Sequence, residues 1–198
     1  MKLKTAVLAV SLLAFGAGMA HAGSWSLGLN GGAAKPTGDF GDAAATGWNV
    51  GVGMNNMVNN TWGIGADLGY HSWGGSDDYN SALQVLSGDP SAKGSFSAIQ
   101  ATGAVSYHFP TNGNVHPYLK GGLGLYNVKA SLESSSGNAD DSWSKLGYNF
   151  GAGMNFATQG NMQWGFNGAY HMVQTKDDLG ANTNMFTVGM NVNFGMGN

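Results

Sequence analysis

Hydrophobic and polar residues alternate one by one along most of the chain, and the clearest example lies near its end. Between positions 185 and 194, every second residue is apolar from Phe186 to Phe194, and the residues between them, Thr187 to Asn193, are small or polar. Because successive side chains of a strand point to opposite faces, this stretch predicts a strand with one apolar and one polar face. The pattern recurs in eight segments, which we predict to be strands: residues 24–34, 46–55, 61–71, 96–109, 117–128, 145–156, 162–172 and 185–194.

The connections between these segments alternate in length. Three are short and rich in Asn, Gly or Pro, as tight turns require: residues 56–60, 110–116 and 157–161. Four are longer: residues 35–45, 72–95, 129–144 and 173–184. Short turns on one rim, long loops on the other and an even number of strands are typical of a transmembrane β-barrel. We therefore predict an all-β fold, an eight-stranded antiparallel up-and-down transmembrane β-barrel with its long loops outside the cell. A soluble periplasmic β-barrel is the alternative.

The beginning of the chain has the layout of a secretory signal peptide. A short basic start at residues 1–4 precedes an apolar run at residues 6–19 and a small-x-small site at residues 20–22. This apolar run is too short to span a bilayer comfortably. We predict a signal peptide over residues 1–22, cleavage after Ala22, and a barrel domain over residues 23–198.

Composition narrows the classes of protein that fit. There is no cysteine, so an exported chain of this kind has no disulfide framework and no metal–thiolate site. After loss of the predicted signal peptide, six lysines oppose eleven acids, so the net charge is −5. A nucleic-acid-binding surface needs a basic face, which this charge balance excludes. We accordingly expect no nucleic-acid partner and no cofactor.

Charged and aromatic residues are segregated along the predicted strands. Asp67 lies within a strand, whereas the other ten acids lie in the long loops, unlike in a soluble sandwich, whose outer strand faces carry charge. Aromatic residues collect at strand ends on the apolar face, as in the interfacial girdles of outer-membrane barrels. The turn-side group is Trp25, Trp62, Tyr107, Phe109, Phe156, Trp164 and Phe194, and the loop-side group is Trp48, Tyr70, Tyr148, Tyr170 and Phe186.

The order of short motifs resembles the small eight-stranded outer-membrane barrels, a superfamily that includes the OmpA transmembrane domain, OmpX, OmpW and the opacity-type surface proteins. The motifs lie at residues 36–42, 62–70, 117–126, 149–153 and 186–194. The resemblance implies a location in the outer membrane, contact with its lipid and lipopolysaccharide, and insertion by the barrel-assembly machinery. In the family the last strand commonly ends the chain on an aromatic residue, whereas here Phe194 is followed by residues 195–198.

Four residues on the polar, lumen-facing side of the predicted strands are candidate site residues. We predict that Asp67 and Lys120 form a structural ion pair inside the lumen, with Gln100 or Thr102 between them, because an unpaired charge there would be costly. A gate for small ions is the functional alternative for this pair. His71 and His171 both point inward near the loop-side rim, but they lack a firm third ligand, so we expect no metal site.

The sequence favours a structural or surface-interaction role for a barrel with a packed lumen, long acidic loops and a monomeric state. A narrow porin, or an OmpW-like channel for small ions or hydrophobic molecules, is the second interpretation. A lipid A-modifying enzyme is the third. It would need a nucleophile and a base within reach of lipid, whereas the strand histidines face the lumen, so we predict that the protein is not an enzyme. In the largest loop, residues 79–86 favour one or two helical turns.

Overall fold

The computed structural model describes residues 24–135, 137–158, 160–175 and 182–196. Eight strands close into one antiparallel barrel in which each strand pairs with its neighbours in sequence. The predicted eight-stranded up-and-down barrel is therefore confirmed, whereas the predicted signal peptide lies outside the described residues. The strands are β1 (Ser24–Thr37), β2 (Gly47–Met57), β3 (Trp62–Gly74), β4 (Lys93–His108), β5 (Val115–Ser134), β6 (Gly137–Ala157), β7 (Met162–Val173) and β8 (Thr183–Gly195).

The last strand shows on which side of the barrel wall the apolar and polar residues lie. Val188 and Met190 point outward and are 53% and 54% exposed, whereas Thr187 and Asn191 point into the lumen and are 8% and 6% exposed. An apolar surface of this kind around the whole barrel suits a hydrocarbon environment, in which every backbone polar group must find a hydrogen-bond partner within the protein. In the closed barrel, the backbone N–H and carbonyl groups of β8 find these partners on β7 and β1.

The seam between β1 and β8 closes the barrel and depends on two glycines. Gly32 lies directly opposite Gly189 in the register of these two strands. A Cβ atom on Gly32 would collide with the backbone of Val188, and one on Gly189 would collide with the backbone of Gly31. Neither obstacle is a flexible side chain, so the close approach of the two strands requires glycine at both positions.

Two strands, β5 and β6, extend far beyond their predicted ends. In the predicted loop over residues 129–144, residues 129–134 continue β5 and residues 137–144 belong to β6, and the pairing runs up to Ser134 opposite Gly137. We call this segment, described at residues 129–135 and 137–144, the raised hairpin. Its apolar alternation is weak because both faces of a sheet outside the membrane meet water, so the pattern that marks a lipid-facing strand is lost.

The first two long loops carry short helices, α1 (Asp39–Ala43) and α2 (Asp77–Ser87). The helical turns predicted over residues 79–86 are confirmed, and α2 is longer because its ends are capped. The Ser76 side chain accepts a hydrogen bond from the Tyr79 N–H, and Gly88 ends the helix with φ of 66°. The sequence did not indicate α1.

Within the part of the chain that the structure describes, no helix is long and apolar enough to cross a membrane.

Candidate functional site

The two charges predicted to meet in the lumen lie in direct contact. Asp67 on β3 and Lys120 on β5 are separated by β4, and Lys120 Nζ lies 2.7 Å from Asp67 Oδ1. Both side chains point inward because the register places them on the polar face of their strands. The Lys120 and Asp67 side chains keep 30% and 17% of their surface exposed, so the lumen has room for water beside the pair.

The residues predicted to lie between these charges have a different role. Gln100 Oε1 accepts a hydrogen bond from His71 Nε2 at 3.1 Å, and Gln100 Nε2 donates to Thr102 Oγ1 at 3.0 Å. Since an amide Oε1 can only accept, His71 Nε2 carries the proton. Gln100 and Thr102 therefore hold His71 in the lumen wall, and the ion pair forms without them.

His171 is held from both sides of its ring. Thr187 Oγ1 donates to the Ala169 carbonyl, so it accepts from His171 Nε2 at 3.2 Å. His171 Nδ1 is then the acceptor for the Tyr126 hydroxyl at 3.0 Å. The structure brings the His71 and His171 rings to a centroid distance of 5.3 Å, edge to face. The absence of a metal site stays a prediction.

Two polar cavities lie inside the barrel, one of about 110 Å³ near the histidines and one of about 80 Å³ toward the turn-side rim. Asp67, Tyr118, Lys120 and Asn167 line both cavities. The ion pair therefore lies where the two cavities meet. Cavities of this size suit several water molecules, for which Asp67, Lys120 and Asn167 are polar partners.

Asparagine side chains fill the lumen between the lower cavity and the turn-side rim. Asn155 Oδ1 accepts from Asn191 Nδ2 at 2.8 Å and from Asn193 Nδ2 at 3.3 Å. On the opposite wall, Ser106 Oγ donates to Asn55 Oδ1 at 3.3 Å. Short neutral amides can fill the narrow interior of eight strands while keeping it polar.

Above the histidines the lumen changes from polar to apolar. Ten buried residues, none more than 7% exposed, fill the loop-side end, and we call them the stopper. They come from six strands, from α1 and from the residue that follows α1: Ala34, Phe40, Ala44, Trp73, Phe96, Ala98, Tyr126, Val128, Val173 and Met185. The stopper separates the polar cavities from the loops.

Phe40 on α1 lies at the aromatic centre of the stopper. Its ring meets Trp73 edge to face at 5.4 Å and Phe96 edge to face at 5.4 Å. Trp73 is fixed in turn because its Nε1 donates to the Ala34 carbonyl at 3.1 Å. The indole also stacks on His71 with a centroid distance of 5.7 Å, which places the stopper directly on the polar network.

The sequence pattern contained a signal for the stopper that the strand boundaries hid. Trp73 lies two residues beyond His71, and Met185 two residues before Thr187, so both continue the inward-facing positions of their strands. The predicted loop over residues 72–95 includes Trp73, which the structure places at an inward position of β3. These residues can be identified in the sequence as apolar residues at the inward-facing positions just beyond the loop-side rim.

The raised hairpin is tied to the second loop by one carboxylate. Asp89 accepts hydrogen bonds from Ser91 and, at 2.6 and 2.7 Å, from the backbone N–H and hydroxyl of Ser135 at the hairpin tip. These bonds, those from Ser91 first, hold the pKa of Asp89 well below its ordinary value. Since bonds to the charged form stabilise it, the tether is strongest when the carboxylate is ionised.

Known proteins of this architecture match the chain. The outer membrane protein beta-barrel domain matches residues 5–194. Comparison with curated protein sequences gives no match.

Three solved structures show the same fold. Neisserial surface protein A is 17% identical with a TM-score of 0.58, and the match covers 86% of this chain and 96% of that one. A major outer membrane protein from Thermus thermophilus is 10% identical with a TM-score of 0.58, covering 89% and 100%. The attachment invasion locus protein of Yersinia pestis, solved with the heparin analogue sucrose octasulfate, is 19% identical with a TM-score of 0.54, covering 88% and 100%.

The apolar outer face, the closed barrel and the extent of the family match all indicate the same location. The protein lies in the outer membrane of the cell. The chain belongs to the outer membrane protein β-barrel family.

Proposed function

We propose that the protein is a surface-interaction barrel that binds extended polypeptide segments of other molecules along the free edge of its raised hairpin. The observation that carries this proposal is the pairing of β6. Residues 147–157 of β6 pair with β7 and Leu146 bonds to Gln174, whereas residues 137–144 pair with β5 alone among the strands that the structure describes. Among the described residues, no strand lies on the other side of this upper part of β6.

The backbone of this edge is oriented for pairing. The Leu146 carbonyl accepts from the Gln174 N–H at 3.3 Å, so the backbone groups of Leu146 point away from β5. Alternation along the strand then points the backbone groups of Ser144, Ser142 and Asp140 to the same side. An open edge of this kind is a ready template for a further strand.

The charges of the edge favour a basic partner. Asp140 and Asp141 are neighbours on the upper part of β6, and Lys129 is 2.7 Å from Asp140. Asp141 Oδ1 also accepts from the Ser142 N–H at 2.8 Å, which occupies one of the edge donors. Because Asp141 occupies the Ser142 N–H, the edge pairs less readily with strands of any sequence. Lys129 already balances the charge of Asp140, so a cationic segment would balance the charge of Asp141.

Geometry argues against a second copy in the same membrane as the partner. Strands of such barrels tilt by about 35–45° from the barrel axis. A two-fold axis along the membrane normal leaves both copies of β6 descending, with their tilts reversed, so the two edges cross instead of aligning. The fitting occupant is a chain that approaches from outside the cell.

The test uses a fluorescent peptide of about ten residues in which valine and lysine alternate, a length and pattern suited to strand addition. Binding to the protein in lipid nanodiscs is followed by anisotropy. Ser144→Pro removes an N–H on the open edge and leaves the β5 pairing intact. Ser144→Ala is the matched control, since both variants lose the 2.9 Å hydrogen bond from Asn127 Nδ2 but only the proline loses the N–H.

We expect the peptide to bind the unmodified protein and Ser144→Ala equally, and Ser144→Pro about tenfold more weakly, which corresponds to one lost backbone hydrogen bond. Equal binding by all three proteins would show that the edge is not the binding surface. A conduit for small hydrophobic molecules fits less well, because stopper residues occupy the mouth. That the protein has no lipid A-modifying activity remains our prediction.

A further inference from the structure

The two faces of the raised hairpin differ along β6. On the face that continues the outer wall of the barrel, β6 carries Asp140, Ser142 and Ser144. On the face above the barrel mouth it carries Asp141 and Trp143, because these residues continue the inward positions of the strand. A strand added to the free edge would therefore meet hydroxyl and acidic groups on one side and an indole on the other.

Trp143 lies beside the apolar end of the lumen. It is opposite Val128, a fully buried member of the stopper, and the next inward pair toward the hairpin tip is Asp141 and Ala130. Ala130 also packs against the stopper. In the part of the chain that the structure describes, no strand flanks the partly buried indole on the side of the open edge. An aromatic side chain of an added strand can pack there against the indole.

The register of pairing decides which partner residues meet Trp143 and Asp141. The backbone groups of Ser142 and Ser144 point to the open edge, so these residues would form the hydrogen-bonded pairs with an added antiparallel strand. Trp143 and Asp141 then lie in non-hydrogen-bonded pairs, in which opposite side chains are closest. Because antiparallel strands run in opposite directions, the partner residue opposite Trp143 comes two positions before the one opposite Asp141.

Asp141 also controls one hydrogen-bond donor of the edge. Its Oδ1 atom accepts from the Ser142 N–H at 2.8 Å, so this N–H is not free for a partner. A cationic side chain opposite Asp141 would draw the carboxylate toward itself, since a bond between two charged groups outweighs one to a neutral amide. The Ser142 N–H would then be available to a carbonyl of the partner, whereas a neutral side chain opposite Asp141 would leave it occupied.

We propose that the preferred partner of the edge is an antiparallel strand with an aromatic residue followed two positions later by lysine or arginine. The aromatic residue packs on Trp143, and the basic residue pairs with Asp141 and releases the Ser142 N–H. The residue between them lies opposite Ser142 on the outer face, where no particular side chain is needed. This preference rests on the proposed binding of extended segments at the same edge, and it adds the order and spacing that the partner requires.

Anisotropy with three fluorescent peptides of about ten residues tests the preference in lipid nanodiscs. The first carries tryptophan–threonine–lysine at its centre, the second lysine–threonine–tryptophan, and the third tryptophan–threonine–valine, all within the same flanks of alternating valine and threonine. When the lysine of the second peptide lies opposite Asp141 in an antiparallel register, its tryptophan lies opposite Ala139 and misses Trp143. We expect the first peptide to bind about tenfold more tightly than either of the others.

Two substitutions of Asp141 separate its charge from its bond to the backbone. Asp141→Asn keeps an oxygen that can accept from the Ser142 N–H, so it should weaken binding of the first peptide about tenfold and leave that of the third unchanged. Asp141→Ala frees the Ser142 N–H, so the third peptide should bind about fivefold more tightly than to the unmodified protein. Asp78→Asn, at an exposed position of α2, is the control for loss of an acid and should leave all three affinities unchanged.

Trp143→Ala tests the aromatic contact. The first and second peptides should bind this variant equally, since the order of their residues no longer matters. Leu86→Ala, at an exposed position of α2, is the control for loss of an apolar side chain and should keep the tenfold preference. Trp143→Leu keeps an apolar side chain and takes the place of Trp143→Ala if the latter shows no gel shift on heating.

The outcomes separate this preference from the proposed function. If no peptide binds the unmodified protein, or if Ser144→Pro binds them as tightly as Ser144→Ala, the edge is not a binding surface and both proposals fail. If Ser144→Pro weakens all three peptides but the unmodified protein binds them equally, the edge stands and the preferred sequence is overturned. Tighter binding of the second peptide, or an unchanged affinity of the third for Asp141→Ala, would overturn it as well.

Discussion

Replacing Lys120 by methionine removes one partner of the lumen ion pair and leaves Asp67 within a mostly polar but narrow interior. At the observed 2.7 Å, two unit charges attract by about 6 kcal/mol when the effective dielectric constant is near 20. Part of this attraction offsets the cost of taking both groups out of water, and removing one partner of a buried pair typically costs 3–5 kcal/mol. Because Lys120 and Asp67 keep 30% and 17% of their side-chain surface exposed, we expect the low end, about 3 kcal/mol.

The assay is urea unfolding of the barrel in lipid vesicles, followed by tryptophan fluorescence. Asp67→Asn alone should also destabilise the barrel, since it leaves an ammonium group without its carboxylate. The double variant should cost about 2 kcal/mol less than the sum of the two single variants, because the second change removes a charge that the first left unpaired. Lys35→Met, at an exposed position near the end of β1, is the control for loss of a lysine.

Additivity would refute this reasoning. If the free energies of the two single variants sum to that of the double variant within about 0.5 kcal/mol, the two charges are not coupled. The short contact would then contribute nothing, and the lumen would be wet enough to screen each charge separately.

Two further predictions concern the seam and the hairpin tether. Gly189→Ala should prevent closure of β1 on β8 and abolish the gel shift on heating. The control Gly103→Ala, where nothing lies within 4 Å of the new Cβ atom, should fold normally. Normal folding of both variants would show that the two strands can separate at the seam. Asp89→Asn should lower the protection of the Ser135 amide against hydrogen exchange, expressed as the observed rate relative to the intrinsic rate at the same pH, and in the unmodified protein this protection should fall in acid. The sign follows from the lowered pKa of Asp89: the tether is complete above the ordinary aspartate pKa and weakens as pH falls through the lowered value, so a protection that does not depend on pH would contradict it.

The sequence predicts the barrel because a lipid-facing strand needs strict alternation. Leu123 and Phe150 point outward as expected, and the charges of Asp67 and Lys120 point inward. The chain specifies these faces locally, since a shift by one residue would turn every apolar side chain of a strand into the lumen. The eight strands and their order therefore follow from the alternating pattern and the loop lengths alone.

The site is less predictable because it depends on contacts across the barrel. Trp73 and Met185 belong to one buried cluster but lie far apart in sequence, and Phe40 lies on a helix that no periodic pattern marks. The sequence predicts a loop at the raised hairpin for a related reason. Beyond the membrane, alternation of apolar and polar residues gives no free-energy advantage, so residues 137–146 do not alternate. The partners of the ion pair could be predicted, but not that Gln100 would instead hold His71.

The central claim is that lipid meets one face of the strands and that the loop-side end of the lumen is sealed. Six tryptophans allow a direct test with variants that each keep one of them and carry phenylalanine at the other five positions. Trp62 is 48% exposed on the outer face, whereas Trp73 is 2% exposed in the stopper. In vesicles of brominated lipid, we expect strong quenching of Trp62 and none of Trp73, and acrylamide in the water should also leave Trp73 unquenched. Quenching of Trp73 by either agent would contradict a sealed lumen.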